Sequence, residues 1–300
     1  MHTFIAQSSK RIDKLLAEHY PDHSRSYFQY LIDQGSVTIN GTQVKKRTIP
    51  QTGDVVEVFF LHSPEIELKA QNIPLDILYE DAHLICINKP SGMVVHPAPG
   101  HPENTFVNAL LYHCRSLPPQ DLRPGIVHRL DRYTSGVLIA AKTVQAHQKL
   151  IEAFSLRKIH KEYLAITVGN PGKTSVQAPI GRHPIKRKEM AVVETGREAL
   201  TLIETLSSKG DFALVKAEPV TGRTHQIRVH LKHLRTPVLG DPIYGSEKLS
   251  HKLKVPRQLL HAHQISLTHP ILGNRLEIIA PPPLDLQKWM KQFNYQQLTI

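Results

Sequence analysis

The chain has 300 residues, a net charge of +11 from 37 Lys and Arg against 26 Asp and Glu, and a hydrophobic content of 40%. This composition supplies a sizeable core, and it excludes a collagen-like or disordered chain because the 22 Pro and 16 Gly follow no period. The longest apolar runs, such as residues 137–141, are far shorter than the ~20 residues that cross a bilayer. The excess of cations favours an anionic partner such as nucleic acid, although many soluble proteins are basic without such a site.

The start of the chain and its cysteine content predict a cytoplasmic protein. The segment MHTFIAQSSKRIDK lacks the apolar stretch of a signal peptide. Cys86 and Cys114 are the only cysteines, and two thiols in the cytosol are expected to be reduced rather than to form a disulfide framework.

Residues 1–60 are predicted to form a small α/β domain with the order helix, helix, hairpin and strand. In the second helix, Ser26 and Gln29 have the spacing of a capping box, and Gly35 occupies the expected C′ position. Asn40-Gly41 is a hairpin signal of type I′, and the segment VVEVFF is the last strand. One apolar face is predicted on the first helix, made by Ile12, Leu15, Leu16 and His19.

A linker at 61–74 is predicted to join this domain to a larger one at 75–300. Several strands of the larger domain follow one another with no helix between them, so we expect an α+β fold with a mixed, largely antiparallel sheet flanked by helices. The predicted strands are 76–79, 83–88, 126–128, 137–142, 162–168, 198–206, 212–219, 261–267 and 275–280. The predicted helices are 105–114, 144–155, 224–234 and 284–292.

The order of motifs over residues 10–58 resembles the alpha-L (S-four type) RNA-binding domain of ribosomal and RNA-modifying proteins. This resemblance implies that Arg25, Ser26 and Lys45 contact RNA phosphates, which position RNA without reading its sequence. From the residues alone an ordinary solvated surface stays open, because acids balance the bases of this segment.

The segment GIVHRLDRYTSGVLIAAKT (125–143) is typical of a strand, a tight loop and a second strand, with Asp131 in the loop. An ionised carboxylate presented there can act as a nucleophile or a base. The ordinary alternative is an Asx-turn or an ion-pair partner.

The motif HRLDxxTSG resembles the signature of the RluA family of pseudouridine synthases. Other blocks of that family occur in order, and two further segments resemble its RluD-like branch, which acts on large-subunit ribosomal RNA. Tyr133 departs from the family pattern, where Asp is common. The blocks are NKPSGMVVHP (88–97), KEYLA (161–165), TGRTHQIRVH (221–230), GDPIYG (240–245) and RQLLHAH (257–263), and the branch segments are 94–111 and 178–192.

The resemblance implies a role for each of five residues. Asp131 is the catalytic carboxylate, Tyr163 stacks on the flipped base near C5, and Arg223 pairs with Asp131. Arg129 fills the gap left by the extracted base, and Leu260 packs under the uracil. The sequence leaves alternatives open, since Tyr163 can be a core aromatic and Arg223 a phosphate ligand.

For three further motif residues, Lys89, Asp241 and His128, we favour structural roles. Neither a cofactor nor a metal is expected, because the chain has no Walker or Gly-x-Gly-x-x-Gly loop and its histidines lack Cys or acidic partners at ligand spacing.

Two basic stretches are predicted to contact the RNA backbone. One is the helix at 224–234 with its flanks, and the other is RHPIKRK (182–188). The residues concerned are Arg223, Arg228, Lys232 and Arg235 in the first, and Lys186 and Arg187 in the second.

The sequence therefore predicts a cofactor-free, monomeric RNA pseudouridine synthase that acts on large-subunit ribosomal RNA or a ribosome precursor. The alternatives are a non-catalytic RNA-binding assembly factor, and a synthase of this family acting on other ribosomal RNA or tRNA sites. An RNA glycosidase is disfavoured because it normally needs two carboxylates around the scissile bond.

Overall fold

The computed structural model describes residues 2–21, 23, 25–61, 68–97, 101–114, 117–118, 123–186 and 189–293, without the side chain of Ser26. The chain divides into two compact units, 1–68 and 69–300. No helix in the described ranges is both long and apolar enough to cross a membrane.

The first unit combines two helices with an antiparallel sheet in the strand order β1-β4-β2-β3. Its edge strand β1 was not predicted, because its largely exposed side chains show no apolar alternation. The elements are β1 (His2–Ile5), α1 (Ile12–His19), α2 (Arg25–Asp33), β2 (Val37–Ile39), β3 (Thr42–Gln43) and β4 (Val55–Val58).

The predicted hairpin of the first unit is confirmed, whereas the capping box is wrong. Asn40 and Gly41 have φ values of 51° and 76°, as a type I′ turn requires. Helix α2 begins at Arg25, so Ser26 lies within its first turn. The side chain of Gln29 donates to Asp13 instead, at 2.7 Å.

The apolar face of α1 differs from the prediction at one position. His19 is exposed and stacks on Phe4, with ring centroids 4.0 Å apart. The buried side chains that form the centre of this unit are Ile12, Leu15, Leu16, Phe28, Leu31, Val37, Val56 and Val58.

The second unit is built on a nine-stranded mixed sheet, in which β7 and β14 are parallel and the other pairs are antiparallel. The order is β5-β6-β7-β14-β8-β13-β12-β9, with β15 also paired to β14, while β10 and β11 form a separate hairpin. The first strands and helices are β5 (Ile77–Glu80), β6 (Leu84–Lys89), α3 (Phe106–His113), β7 (Ser135–Ala141), α4 (Val144–Ser155), β8 (His160–Val168), β9 (Lys173–Gln177), β10 (Ile180–Arg182) and β11 (Met190–Val192). They are followed by β12 (Leu200–Lys209), β13 (Phe212–Pro219), α5 (Gln226–His233), α6 (Glu247–Lys252), β14 (Leu260–Thr268), β15 (Arg275–Ile279), α7 (Leu284–Met290) and a 3₁₀ turn (Lys291–Phe293).

The central strands of this sheet are covered on both faces. Helix α3 packs Phe106 and Leu110 against one face of β6 and β7, and α4 packs Ala146 and Leu150 against the other. All seven residues of β7 are therefore buried, which explains its continuous apolar run in place of alternation.

Gly136 permits the parallel contact of β7 and β14. Its φ is 110°, and a Cβ there would lie 2.1 Å from the carbonyl oxygen of Ala262. Any side chain at this position would therefore separate β14 from β7, the strand that directly follows the Asp131 loop.

The mixed, largely antiparallel sheet is as predicted, but several short elements are not. The predicted strand at 126–128 is a single bridge between Ile126 and Ala140. Part of the predicted linker is held on helix α3, where the carbonyl of Lys69 accepts from Asn108 and the amide of Gln71 donates to the Asn108 carbonyl. The elements that the sequence analysis missed in this unit are β9, β10, β11 and α6.

Candidate active site

A cleft of about 510 Å³ opens where three neighbouring strands of the sheet begin or end. The loop that precedes β7 contributes Asp131, β8 contributes Tyr163, and β14 begins with Leu260. Tyr163 lies opposite Ala262 on β14, and Ser135 at the start of β7 lies opposite His261. The sheet topology thus joins residues that are far apart in sequence. Arg129 and Arg223, also predicted for the site, line the same cleft.

The carboxylate of Asp131 is paired with Arg228, which a second carboxylate also holds. Nη1 of Arg228 donates to Asp131 at 2.8 Å. Nε and Nη2 donate to the two oxygens of Asp241 at 2.6 and 2.9 Å. Arg228 and Asp241 are almost fully buried, with 3% and 1% of their surface exposed. The orientation of Asp131 is therefore set by a bidentate ion pair beneath it.

Burial and ion pairing shift the pKa values of Asp241 and Arg228 in opposite directions. Burial alone would raise the pKa of Asp241 and lower that of Arg228. The hydrogen bonds and opposite charges of the pair outweigh this, so the pKa of Asp241 is lowered and that of Arg228 is raised. The guanidinium therefore remains a cation at the base of the cleft.

Two predictions for the arginines are wrong. Arg223 does not pair with Asp131; its Nε donates to the carbonyl of Glu198 at 2.9 Å. Arg228, predicted to contact the RNA backbone, is buried under Asp131 because helix α5 turns it inward toward Asp241. The motif TGRTHQIRVH offers two arginines, and its spacing does not distinguish the inward one.

His225 and Tyr244 complete the surroundings of Asp131, and the sequence analysis did not assign either to the site. Nε2 of His225 lies 3.8 Å from Oδ1 of Asp131, and its Nδ1 lies 2.8 Å from the hydroxyl of Tyr244. Burial lowers the pKa of His225, although Asp131 raises it in part. The Tyr244 ring lies 5.0 Å from the guanidinium carbon of Arg228. Only tertiary structure brings GDPIYG to this helix.

Tyr163 is half-buried in the cleft wall, and Leu260 beside it is buried. Burial, and then the negative charge of Asp131, raise the pKa of Tyr163. The phenol therefore keeps its proton at neutral pH and acts as a neutral hydroxyl.

Hydrogen bonds to backbone carbonyls fix the loop that carries Asp131. Lys89 is fully buried, and its ammonium donates to the carbonyls of Pro90, Met93 and Arg132 at 2.9, 2.9 and 3.1 Å. Burial lowers the pKa of Lys89 to about 7. The carbonyl of Tyr133, which follows Arg132 in this loop, accepts a hydrogen bond from Arg257 at 3.0 Å.

His128 and Asp241, for which structural roles were also predicted, differ in their contacts: His128 binds a backbone N–H, whereas Asp241 also binds Arg228. His128 accepts the N–H of Ile139 at 3.0 Å, as a structural residue would. Asp241 forms the expected turn by accepting the N–H groups of Ile243 and Tyr244, and it also pairs with Arg228.

The walls of the cleft are strongly cationic. Among the described residues that line it, Asp131 is the only carboxylate. Lys161, which sequence reasoning missed, donates to the Thr221 carbonyl at 3.4 Å, and burial lowers its pKa to about 8. The cations of the walls are Arg129, Arg157, Lys161, Arg197 and Arg223. A polyanion is therefore the ligand that this cleft favours.

In the small unit, the predicted phosphate contacts stay predictions. Arg25 donates to the buried carboxylate of Asp13 at 2.6 and 2.8 Å, while 43% of its side chain remains exposed. Burial raises the pKa of Asp13, but hydrogen bonds from Arg25, Gln29 and Arg11 outweigh it and lower the pKa. Lys45 is exposed. The side chain of Ser26 lies outside the described residues.

The second basic stretch is only partly described. Lys186 is exposed and pairs with Glu189 at 3.2 Å, whereas Arg187 lies outside the described residues.

His230, His261 and His263, which the sequence places close to one another in two groups, have partners other than a metal. His230 lies within hydrogen-bond distance of Thr201 and the Ala178 carbonyl, and His261 and His263 both contact the Ala280 carbonyl. In the described part of the chain, the group His160, Glu162 and Glu218 has converging ligand atoms. The ammonium of Lys216, 3.1 Å from Glu218, already occupies that cluster.

Comparison with known proteins gives the class to which this fold and cleft belong. Residues 83–233 match the RNA pseudouridylate synthase family, and residues 10–56 match the S4 domain. A solved structure of human RNA Pseudouridylate Synthase Domain Containing 4 superimposes with a TM-score of 0.57 and 28% identity, covering 73% of this chain and 92% of that one.

Curated relatives match over nearly the whole length. An uncharacterized RNA pseudouridine synthase of Synechocystis sp. is 45% identical, over 93% of this chain and 87% of the relative. Ribosomal large subunit pseudouridine synthase D of Xanthomonas campestris pv. campestris is 40% identical, over 94% of this chain and 88% of the relative. The chain therefore belongs to the RNA pseudouridine synthase family, whose members are isomerases.

Proposed function

We propose that this enzyme converts specific uridines of large-subunit ribosomal RNA to pseudouridine in the Asp131 cleft, without a cofactor. The observation that carries the assignment of the site is the ion pair of Asp131 with buried Arg228 in a cationic cleft beside Tyr163. The choice of RNA rests on relatives such as the Xanthomonas large-subunit synthase at 40% identity.

The isomerisation is redox-neutral. The bond between C1′ and N1 of uridine breaks, the uracil rotates, and a bond forms between C1′ and C5. The hydrogen on C5 leaves as a proton, and N1 takes up a proton, so that the product is an isomer of the substrate. Asp131 acts directly on the nucleotide as nucleophile toward C1′ or the base, or as base toward a sugar proton. Arg228 is a positioning residue that holds this carboxylate in a fixed direction and balances its charge before and after the reaction.

The neighbouring side chains hold the flipped nucleotide. The uridine leaves its stack at a cost of a few kcal/mol, and Arg129 enters the gap. Tyr163 stacks on the uracil with its neutral hydroxyl near C5, and Leu260 packs beneath the ring. The positions of the three side chains around one cleft support these roles, which the family resemblance implies.

The small N-terminal unit supplies the sequence-independent part of RNA binding. Arg25, Ser26 and Lys45 contact phosphates, and Lys186 and Arg187 add backbone contacts from the larger unit. The enzyme acts as a monomer in the cytoplasm, on free ribosomal RNA or on a ribosome precursor. The small domain ends at residue 60, as the sequence analysis proposes. The linker is shorter than the 61–74 proposed there and ends before Lys69, which is hydrogen-bonded to α3.

The substrate is tested with three unmodified transcripts, of large-subunit ribosomal RNA, small-subunit ribosomal RNA and pooled tRNA. Each is incubated with purified protein, and pseudouridines are mapped by carbodiimide modification and primer extension. We expect the large-subunit transcript to be modified at discrete uridines, at least about tenfold faster than the others, as a specificity of ~1.4 kcal/mol would give. Faster modification of tRNA or small-subunit RNA would refute the proposed substrate. The absence of modification in every transcript, and also in large-subunit RNA within a ribosome precursor, would refute the activity.

A further inference from the structure

Three arginines in the cleft come from separate elements; an RNA-backbone contact was predicted for Arg223 alone, and Arg157 and Arg197 have no assigned role. Arg157 follows helix α4, Arg197 precedes β12, and Arg223 precedes α5. In the described part of the chain, none of the three has a carboxylate within 4.0 Å, whereas Asp131 is already paired with Arg228. The cleft therefore holds a group of uncompensated cations.

These cations are close enough to repel one another. Burial lowers the pKa of Arg223, and the positive charges of Arg197 and Arg157 lower it further, while Glu198 raises it in part. Like charges held together cost free energy unless a ligand of opposite charge compensates them. The unliganded cleft thus carries an electrostatic cost that an anion would remove.

The backbone at each arginine is fixed, so the grouping does not depend on loose loops. Arg197 and Ile180 exchange backbone hydrogen bonds at 2.9 Å. The amide of Arg223 donates to the side chain of Gln226 at 3.0 Å. Arg157 adopts a φ of 58° where α4 ends, and its amide donates to the Phe154 carbonyl. Two of the side chains, Arg157 and Arg197, are exposed and free to reach a ligand.

We propose that Arg157, Arg197 and Arg223 bind one phosphodiester of the RNA strand, at or next to the uridine that enters the cleft. The inference rests on the proposed function, because RNA is the substrate. Uracil and ribose are neutral, so the phosphodiester is the part of the strand that supplies the missing negative charge. Guanidinium groups match phosphate oxygens with paired hydrogen bonds. A phosphate held there fixes the backbone on both sides of the flipped nucleotide and offsets the cost of unstacking.

The test combines changes on the protein and on the RNA. Short substrate RNAs carry a single uncharged methylphosphonate, at the phosphate 5′ or 3′ of the target uridine or one nucleotide further away. They are assayed with the variants Arg157→Gln, Arg197→Gln and Arg223→Gln. The matched control is Arg275→Gln on β15, a residue with an 81% exposed side chain that does not line the cleft.

On unmodified RNA, each cleft variant is expected to lower kcat/KM about tenfold, as loss of one charged hydrogen bond predicts. The control should change it less than about twofold, the range of ordinary surface substitutions. At one linkage only, methylphosphonate should lower the kcat/KM of the wild type about tenfold, and it should lower the kcat/KM of the cleft variants almost no further. This non-additivity identifies the contacted phosphate. Arg223→Lys, which keeps the charge, should recover part of the loss.

Two results would overturn the phosphate site while leaving the proposed function intact. In one, the wild type is active and all three cleft variants match the control. In the other, the losses from arginine substitution and from methylphosphonate add at every linkage. An inactive wild type on the unmodified RNA would instead contradict the proposed function, and with it this inference.

Discussion

Arg228 holds Asp131 from below, with Nη1 of the arginine 2.8 Å from Oδ2 of the carboxylate. The same guanidinium is fixed by Asp241, so the position of Asp131 depends on a buried ion-pair network as well as on its own loop. Asp131 itself is part-exposed to the cleft, with 19% of its side chain accessible. One oxygen is therefore oriented by the protein while the carboxylate remains accessible from the cleft.

Replacing Arg228 should impair catalysis and stability together. Arg228→Gln leaves the buried Asp241 without its cation, which costs about 3–5 kcal/mol of unfolding free energy. Turnover should fall by about 100-fold or more, since misplacing a reacting group by ~1 Å has that effect. Single-turnover rates and urea unfolding measure the two effects.

If Arg228→Gln does not fold, the same measurements are made on Arg228→Lys. It keeps the charge but cannot bond both carboxylates through a planar fork, so the rate should still fall markedly. Arg223→Gln is the comparison, because it should weaken RNA binding and leave stability nearly unchanged. If Arg223→Gln abolishes the chemical step and Arg228→Lys does not, the assignment of the two arginines is wrong.

Tyr163→Phe should retain stacking on the uracil and lose the hydroxyl near C5. Because this hydroxyl is neutral at pH 7, its loss changes no charge, and we expect RNA binding to remain. We expect product formation to fail after glycosidic cleavage, because the hydroxyl near C5 assists the departure of the C5 proton. Quenched single-turnover reactions, analysed for RNA-bound intermediates, measure this. Unchanged pseudouridine formation in the Phe variant would reduce Tyr163 to a packing residue.

The activity of the wild type should fall at alkaline pH through Lys161. Its pKa of about 8 lies below the ordinary value of 10.5, so its charge is present below pH 8 and is lost above it. At pH 9 only about a tenth of the enzyme carries that charge. Lys89, with a pKa of about 7, also titrates in this range, but it does so equally in a Lys161 variant. His128 does not, since burial and then Lys161 lower its pKa to about 3.

The control for Lys161 is Lys161→Arg, which stays charged throughout. The kcat/KM of both enzymes is followed from pH 6.5 to 9.5, and titration of the substrate is common to both. By pH 9 the kcat/KM of the wild type should have fallen about tenfold further than that of Lys161→Arg, because the positive charge of Lys161 attracts RNA to the cleft. Identical profiles would show that the charge of Lys161 does not contribute.

Removal of residues 1–68 should leave a folded catalytic unit. The cut keeps Lys69 and Gln71, which are hydrogen-bonded to α3. Activity on a short RNA should persist, while affinity for full-length ribosomal RNA should fall and its salt dependence weaken, since fewer phosphates are neutralised. An insoluble fragment would show that the two units share a core.

The sequence predicted the elements whose side chains alternate between buried and exposed or form long apolar runs. It missed β1 and β9 because they are edge strands with largely exposed side chains, and β10 and β11 because three residues are too few to show a period. It also placed Ser26 at a helix N-cap, where the helix already includes it.

At the site, the motif HRLDxxTSG was enough to locate Asp131 in a loop beside the sheet. The partner of Asp131 could not be predicted, because several cations occur between 223 and 235 and only packing decides which one turns inward. The nearby Asp241 selects Arg228, and that contact spans 13 residues through a turn. Lys161, the first residue of the KEYLA block, was missed because its burial depends on the opposing Thr221 segment.

The most direct test of the account is the release of the C5 hydrogen from uridine, with Asp131→Asn as the variant. Large-subunit ribosomal RNA carrying tritium at C5 of uridine is incubated with either protein, and RNA affinity is measured alongside. The wild type should release tritium to water in step with pseudouridine formation, without free uracil. The Asn variant should bind RNA at least as tightly as the wild type, because Asn keeps the shape of Asp131 and removes a negative charge from a cationic cleft, yet it should release no tritium. Appreciable release by the Asn variant, or free uracil from the wild type, would contradict an isomerase that works through Asp131.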